Sequence, residues 1–345
     1  MQELKGKVYI GIPGFEDHLL KELGTHYEIL NKNDQSIDSP RSPFIVYSES
    51  PNEVFWYENC WLNPVKIKFT SIGEAAASLR SLGRNWSPCL FTRYRRAALI
   101  QEKLPPLPKQ RQNFPWLLPE SPMGSFTLLD RDTIIASPNC TNPFPGAIPP
   151  FTEDREGPPS RAYLKLWEAL TLCRLWPLAG ERCLDAGASP GGWSWVLAKL
   201  GVEVIAVDRA PLEKRVADMK GVHFIKHDAF TLKPEDIGKI DWLFCDVACY
   251  PPRLYTWIEK WLASGLCTNF VCTIKMQGQA EADPSRETMR SIVADTNRSE
   301  YISSSANPGR SLVDFDTPKL FSAIPSSRIV HLYHNKHELT WIKLG

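Results

Sequence analysis

The chain has 345 residues, 43% of them hydrophobic and 23% charged, which is ordinary for a globular protein and long enough for two or three domains. A formal net charge of +1 excludes a uniformly basic surface, so any contact with nucleic acid has to come from a local patch. Nine cysteines without a C-x-x-C pair exclude a disulfide framework and point to a reducing compartment; residues 1–11 lack the apolar run of a signal peptide and no segment reaches membrane-spanning length, so the expected location is the cytoplasm, with no membrane partner.

Residues 1–80 predict a small α+β domain. Residues 7–12 (KVYIGI) alternate as a strand, Pro13-Gly14 turns it, and residues 15–23 have helical spacing at Phe15, Leu19, Leu20 and Leu23. The polar stretch NKNDQSIDSPRSP is a loop, residues 65–69 are a strand, and Ser71 with Glu74 makes a capping box ahead of the helix AAASLRSL. Residues 81–140 form a second region. Between Arg84 and Arg111 it carries Arg84, Arg93, Arg95, Arg96, Lys103, Lys109 and Arg111 against one acid, Glu102. A helix over LFTRYRRAALIQEKL brings Arg93, Arg96 and Lys103 within about a quarter turn of one another, with Trp86 and Tyr94 as stacking surfaces. Such a face serves either as a phosphate-binding patch for RNA or as a solvated helix side. Residues 125–136 read as a hairpin around Asp130-Arg131-Asp132, and the proline-rich run 141–158 is the expected linker between domains.

Ser160 is the expected cap of a helix over RAYLKLWEALTLCRL, which carries Lys165. The most informative stretch follows it, CLDAGASPGGWSWVLAKL at residues 183–200, which reads as strand, glycine turn, helix. Gly187, Gly191 and Gly192 allow positive φ or close approach of a ligand, and Pro190 fixes one φ between them. The turn lacks the dinucleotide G-x-G-x-x-G spacing and the Gly-Lys-Ser/Thr of a P-loop. Instead Asp185 precedes the first glycine and Asp208 ends the next strand, VEVIAVD. A carboxylate there accepts hydrogen bonds from both hydroxyls of a ribose, and a glycine turn without a basic phosphate clamp suits a nucleoside carrying an amino acid. S-adenosylmethionine fits that description, with Trp193 beside it.

The alternation of strand and helix continues to Asp228, Asp246 and Lys275, so four successive strands finish in or next to a charged residue. In an open parallel sheet the carboxyl edge is where ligands bind. A lysine at the end of an apolar strand is costly to bury alone, and Asp246 is its expected partner. His331, His334, His337 and Glu338 are metal-ligand types, but a strand-turn-strand does not bring three of them to one face, so no metal is expected.

These residues resemble a known family. The segment from Pro159 onward is similar to the FtsJ-type S-adenosylmethionine-dependent ribose 2′-O-methyltransferases, and among them to the RlmM family, which methylates a cytidine of large-subunit (23S) ribosomal RNA. The resemblance rests on PSRAYLKLWEA, LDAGASPGGWS, FCDVACYP, TIK and YHNKHELTW; weaker likeness lies in PGFE at residues 13–16 and in a THUMP-like RNA-binding region. It implies an α/β fold, with a class I, Rossmann-like methyltransferase domain over residues 159–345 preceded by a smaller α+β region. It also implies a catalytic set of Lys165, Asp246, Lys275 and Glu338. Asp208 would hold the cofactor ribose, Asp228 its adenine amino group, and Ser160 with Ser189, Pro190, Gly191 and Gly192 its methionine end, while Asp246 touches both cofactor and Lys275. Sixty-two residues separate Lys275 from Glu338, including the loop RSEYISSSANPGRS, which is either an inserted lid or RNA-contacting loop or disordered filler. Two other functions remain open at this level: a small-molecule methyltransferase, and a non-catalytic RNA- or cofactor-binding module for ribosome assembly.

Overall fold

A computed structural model of the protein describes residues 1–31, 43–108, 110–276 and 317–345. The loop RSEYISSSANPGRS, nearly all of NKNDQSIDSPRSP and Lys109 lie outside the described residues. By internal contacts the chain divides into one unit of residues 1–155, 164–176 and 331–334, and another of residues 156–163, 177–330 and 335–345.

The first unit holds two sheets. Strands β1 (Gln2–Glu3), β2 (Lys7–Gly11), β3 (Tyr27–Ile29), β4 (Phe44–Ser48), β5 (Tyr57–Trp61), β6 (Val65–Lys68), β7 (Asn85–Pro88), β8 (Met123–Leu128) and β9 (Thr133–Ser137) are laid out in the orders β3-β4-β2-β5 and β1-β6-β9-β8-β7. Helix α1 (Glu16–Leu23) buries Leu19 and Leu23 against Tyr9 and Val46, as its apolar spacing requires. Helix α2 (Ile72–Leu82) is capped by Ser71, whose hydroxyl accepts from the Glu74 amide at 3.2 Å, while the Glu74 carboxylate reaches back to the amide of Thr70 at 2.8 Å. The hairpin β8–β9 turns at Asp130–Asp132, where the sequence places it.

The border expected at residue 80 falls inside α2, and β6 pairs with β9 in the register Val65↔Ala136, so residues on both sides of that border share one sheet. The proline-rich run is no bare spacer either. Proline removes ladder donors there, but Phe144 and Phe151 are buried, and residues as far as Arg155 cluster with the first unit. Helix α3 (Tyr94–Glu102) buries Ala97 and Ile100, and helix α4 (Tyr163–Cys173) packs Trp167 against Phe114 and Phe151 at ring distances of 5.3 and 5.6 Å.

The second unit is a seven-stranded sheet ordered β12-β11-β10-β13-β14-β16-β15, built from β10 (Arg182–Ala186), β11 (Glu203–Asp208), β12 (Val222–Lys226), β13 (Trp242–Cys245), β14 (Asn269–Lys275), β15 (Ser327–Val330) and β16 (Glu338–Lys343). Strands β10 to β14 are parallel, and β16 is antiparallel to both β14 and β15. Strands β10, β11, β13 and β14 are buried almost throughout, as strands covered on both faces require, while the edge strand β12 is largely exposed. Among the described residues, helices α5 (Gly192–Lys199), α6 (Lys214–Ala217), α7 (Pro234–Ile237), α8 (Pro251–Ser264) and α9 (Thr317–Ser322) accompany the sheet. The consequence for function is geometric: the parallel strands end at one edge, and β16, running the other way, begins there. No helix among the described residues is long and apolar enough to cross a membrane, and all nine cysteines are free thiols.

Candidate functional site

The turn between β10 and α5 is shaped by its glycines. Gly187 has φ +79°, and a Cβ there would lie 2.6 Å from the Val247 side chain; Gly191 has φ +117°, and its Cβ would meet Val216 at 2.9 Å. Only glycine fits either place. The loop is tied to the end of β11, because the Ser189 amide and the Ala210 amide donate to the two carboxylate oxygens of Asp208 at 3.0 and 2.8 Å. Ser189 Oγ donates to the Pro211 carbonyl at 2.9 Å, and the Ser189–Pro190 peptide is cis. Behind the loop Asp185 is buried and accepts from Ser194 Oγ at 2.6 Å; burial, reinforced by the charges of Asp246 and Asp208, pushes its carboxyl up to about 7.

Two expectations change here. Ser160 does not cap α4, which begins at Tyr163; its buried hydroxyl has no hydrogen-bond partner among the described residues and lies 2.7 Å from where a Cβ on Gly192 would be. Trp193 is not among the residues that line the cavity beside the turn. Its position in the first turn of α5 directs the indole inward, where it is buried and donates to the Ala162 carbonyl at 2.9 Å.

Beside the turn is a cavity of about 160 Å³, lined among others by Gly187, Asp208, Asp228, Phe230, Val247 and Cys249. Ser189, Pro190, Gly191, Gly192 and Asp246 are not part of its lining. Asp228 is more heavily engaged than the sequence suggests. Its Oδ1 accepts the Phe230 amide at 3.0 Å, and its Oδ2 pairs with Arg209 and, at 3.2 Å, with Arg253. Burial acts to raise its pKa, but the Arg209 hydrogen bond, the Phe230 amide and the Arg253 charge outweigh it, so the carboxyl is held below its ordinary value. The Arg253 guanidinium lies 4.8 Å from the Phe230 ring centre. Both arginines escaped the sequence reading, although Arg209 directly follows Asp208 and Arg253 opens α8. Burial pushes the Cys249 thiol up to about 12, so it meets the cavity as a neutral group.

At the same edge three of the four expected catalytic residues meet. Lys275 Nζ lies 2.5 Å from Asp246 Oδ1 and 3.8 Å from Glu338 Oε1, with all three side chains largely shielded from water. The antiparallel ladder explains the meeting: Lys275 is the last residue of β14, Glu338 the first of β16, and the two are register partners. The Met276 amide continues the ladder by donating to the His337 carbonyl at 3.1 Å. Thr273, two residues before Lys275 and so on the same face of β14, donates to Asp246 Oδ1 at 2.7 Å and fixes the carboxylate. That period-2 relation was available in NFVCTIK. Lys165 lies on α4 in the first unit, and only 8% of its surface is exposed.

In the basic segment Arg93, Tyr94, Arg95 and Lys103 are exposed. Arg96 is not part of that face, since its guanidinium sits 5.2 Å from the Phe69 ring centre and its Nε is buried. Trp86 offers no stacking surface. It is fully buried on β7, its indole donates to the Gly83 carbonyl at 2.8 Å, and Gly124 leaves room for the ring.

The chain is similar to known proteins over part of its length. Residues 158–292 match the model of the FtsJ-like methyltransferase family. A ribosomal RNA large subunit methyltransferase M from Azoarcus sp. is 32% identical over 211 residues, covering 57% of this chain and 49% of its own length. One from Xanthomonas oryzae pv. oryzae is 32% identical over 223 residues, covering 62% and 59%. Among solved structures, the fibrillarin pre-rRNA processing protein of Methanococcus jannaschii is 17% identical, covers 48% of this chain and 67% of its own, and has a TM-score of 0.31. The chain thus spans about half the length of the relatives it matches. Over residues 158–292 it is similar to the FtsJ-like methyltransferases, and over a longer stretch to the ribosomal RNA large subunit methyltransferase M proteins.

Proposed function

We propose that the protein is a cytoplasmic S-adenosylmethionine-dependent RNA methyltransferase that modifies a ribose 2′-hydroxyl, that of a cytidine in large-subunit (23S) ribosomal RNA. The observation that supports this most is Lys275, held between Asp246 and Glu338 on the sheet edge that also carries Asp208. S-adenosylmethionine, when bound, supplies an electrophilic methyl group on its sulfonium.

A ribose hydroxyl is a poor nucleophile at neutral pH, so residues beside it must take up or shield its proton as it attacks. In its neutral form a lysine amine has two N–H donors and one lone pair. The donors face Asp246 and Glu338, and the lone pair accepts the 2′-hydroxyl proton as the ribose oxygen attacks. Asp246, fixed by Thr273, orients the amine, and Glu338 orients the ribose. Lys165 is the fourth member of the set by resemblance to the family.

The chain's own groups fit the cofactor. A carboxylate has about four acceptor positions. Asp208 uses two for backbone amides and keeps two for the ribose hydroxyls. Asp228 uses three and keeps one, enough for a single amino N–H of adenine. The Ser160 hydroxyl, without a partner among the described residues, and the glycines at 187, 191 and 192, whose absent Cβ atoms leave the loop open, suit the methionine end. For RNA, residues 81–140 would serve as the THUMP-like region, with Arg93, Arg95 and Lys103 contacting phosphate and Tyr94 stacking.

The test is transfer of tritiated methyl from S-adenosylmethionine to unmodified ribosomal RNA, compared with a metabolite mixture, followed by mapping of 2′-O-methylated positions. Label in a single ribose of large-subunit RNA supports the reading; label only in metabolites, or in none, overturns it.

A further inference from the structure

Glu168, on α4, is completely buried, and its carboxylate takes three hydrogen bonds from two consecutive residues 165 and 166 positions away in the chain. The Tyr333 amide donates to Oε1 at 2.8 Å, and the His334 amide donates to Oε2 at 3.2 Å. The His334 ring is the third donor, with Nδ1 lying 2.7 Å from Oε2. With the carboxylate as acceptor, the imidazole carries its proton on Nδ1. Burying a carboxyl group is expensive unless donors surround it, so a carboxylate here is far more than the fold of one helix requires; an apolar residue such as methionine would fill the space more cheaply.

What distinguishes the site is its place in the chain. Glu168 stands one helical turn beyond Lys165 on α4, and His334 stands four residues before Glu338. We propose that Glu168 is a positioning residue for methyl transfer: by gripping the backbone and ring of His334, it fixes the segment from which the chain runs on into Glu338. The inference rests on the methyltransferase reading above. It assigns Glu168 and His334 no contact with the substrates. His334 serves as a fastener, and the run Asn335-Lys336-His337 is the short lead to Glu338, short enough that displacement at one end is felt at the other.

The clasp makes a prediction that a purely stabilising contact does not. Glu168→Gln replaces one acceptor oxygen with an amide donor facing an N–H. At a temperature well below the variant's unfolding transition, kcat for RNA methylation falls at least tenfold, while KM for RNA and the Kd of S-adenosylhomocysteine change less than twofold. Hydrogen exchange at the Tyr333 and His334 amides speeds up in the same variant. His334→Asn, whose amide can donate to Glu168, retains most of kcat, and His334→Ala, which keeps both backbone bonds, loses an intermediate amount. If Glu168→Gln unfolds, the His334 pair decides alone, since Asn and Ala variants with equal kcat overturn the proposal. A folded Glu168→Gln with lowered unfolding temperature but unchanged kcat overturns it as well. Parent protein with no RNA methylation at all would instead refute the methyltransferase reading, and the two failures are thereby separable.

Discussion

Lys275 and Glu338 are register partners across the antiparallel ladder of β14 and β16, their Nζ and Oε1 atoms 3.8 Å apart although 62 residues separate them in the chain. The arrangement depends on β16 running against the parallel strands, since only then does its first residue arrive at the edge where β14 ends. Glu338→Gln keeps the size of the side chain and removes its charge from the amine. Single-turnover methylation should slow roughly 10- to 100-fold, with cofactor affinity intact. A rate within twofold of the parent would detach Glu338 from the chemistry.

Gly187 tests the cofactor turn. Gly187→Ala places a methyl group 2.6 Å from Val247 at a φ of +79°, a conformation and a space that both exclude it. The variant should lose about 2 kcal/mol of stability and bind S-adenosylhomocysteine at least tenfold more weakly by calorimetry. Val247→Ala in the same chain should recover part of the loss by removing the contacting methyl. Unchanged affinity in the single variant would separate the turn from the cofactor.

Much of this site was legible in the sequence because its parts are local. Strand, glycine turn and helix at residues 182–199 follow from glycine spacing and an apolar run, and Asp208, Asp246 and Lys275 are read directly as charges closing apolar strands. What failed was non-local. Trp86 and Arg96 look available on a basic stretch, but pairing of β7 with β8 buries the one and packing on Phe69 takes the other out of the exposed face. The border at residue 80 rested on composition, which carries no trace of the pairing of β6 with β9. The salt pairs of Asp228 and the grip of Glu168 on His334 join residues with no recognisable spacing at all.

Glu58 gives the first unit a pH dependence. Burial, with the nearby charge of Glu168 adding to it, pushes its carboxyl from 4.5 up to about 7. The folded chain therefore holds this proton more tightly than the unfolded chain does. Its contribution to stability is complete below about 4.5 and is lost as pH rises through 7. Glu58→Gln removes the loss, so urea unfolding should show the variant gaining on the parent between pH 5 and pH 8, by on the order of 2 kcal/mol. An equal difference at both pH values would show that Glu58 titrates normally.

The basic face separates into residues that should and should not matter for RNA. Arg95 and Lys103 are exposed, and replacing both with alanine should weaken RNA binding and flatten its dependence on salt, by about 0.7 in the logarithmic slope for each lost phosphate contact on a single strand. Arg96→Ala should leave that slope unchanged and lower the unfolding temperature, because its guanidinium packs over Phe69. The reverse pattern would move the RNA contact to another face.

The role of the Lys275 amine is open to the most direct measurement, a paired assay of Lys275→Ala in which methyl transfer to ribosomal RNA and calorimetric binding of S-adenosylhomocysteine are followed on the same preparation. Transfer should fall by at least a thousandfold, within the range expected for loss of a general acid or base, while the binding constant stays within about threefold of the parent. Turnover that survives the substitution would remove the amine from the reaction and, with it, the 2′-hydroxyl chemistry proposed for this site.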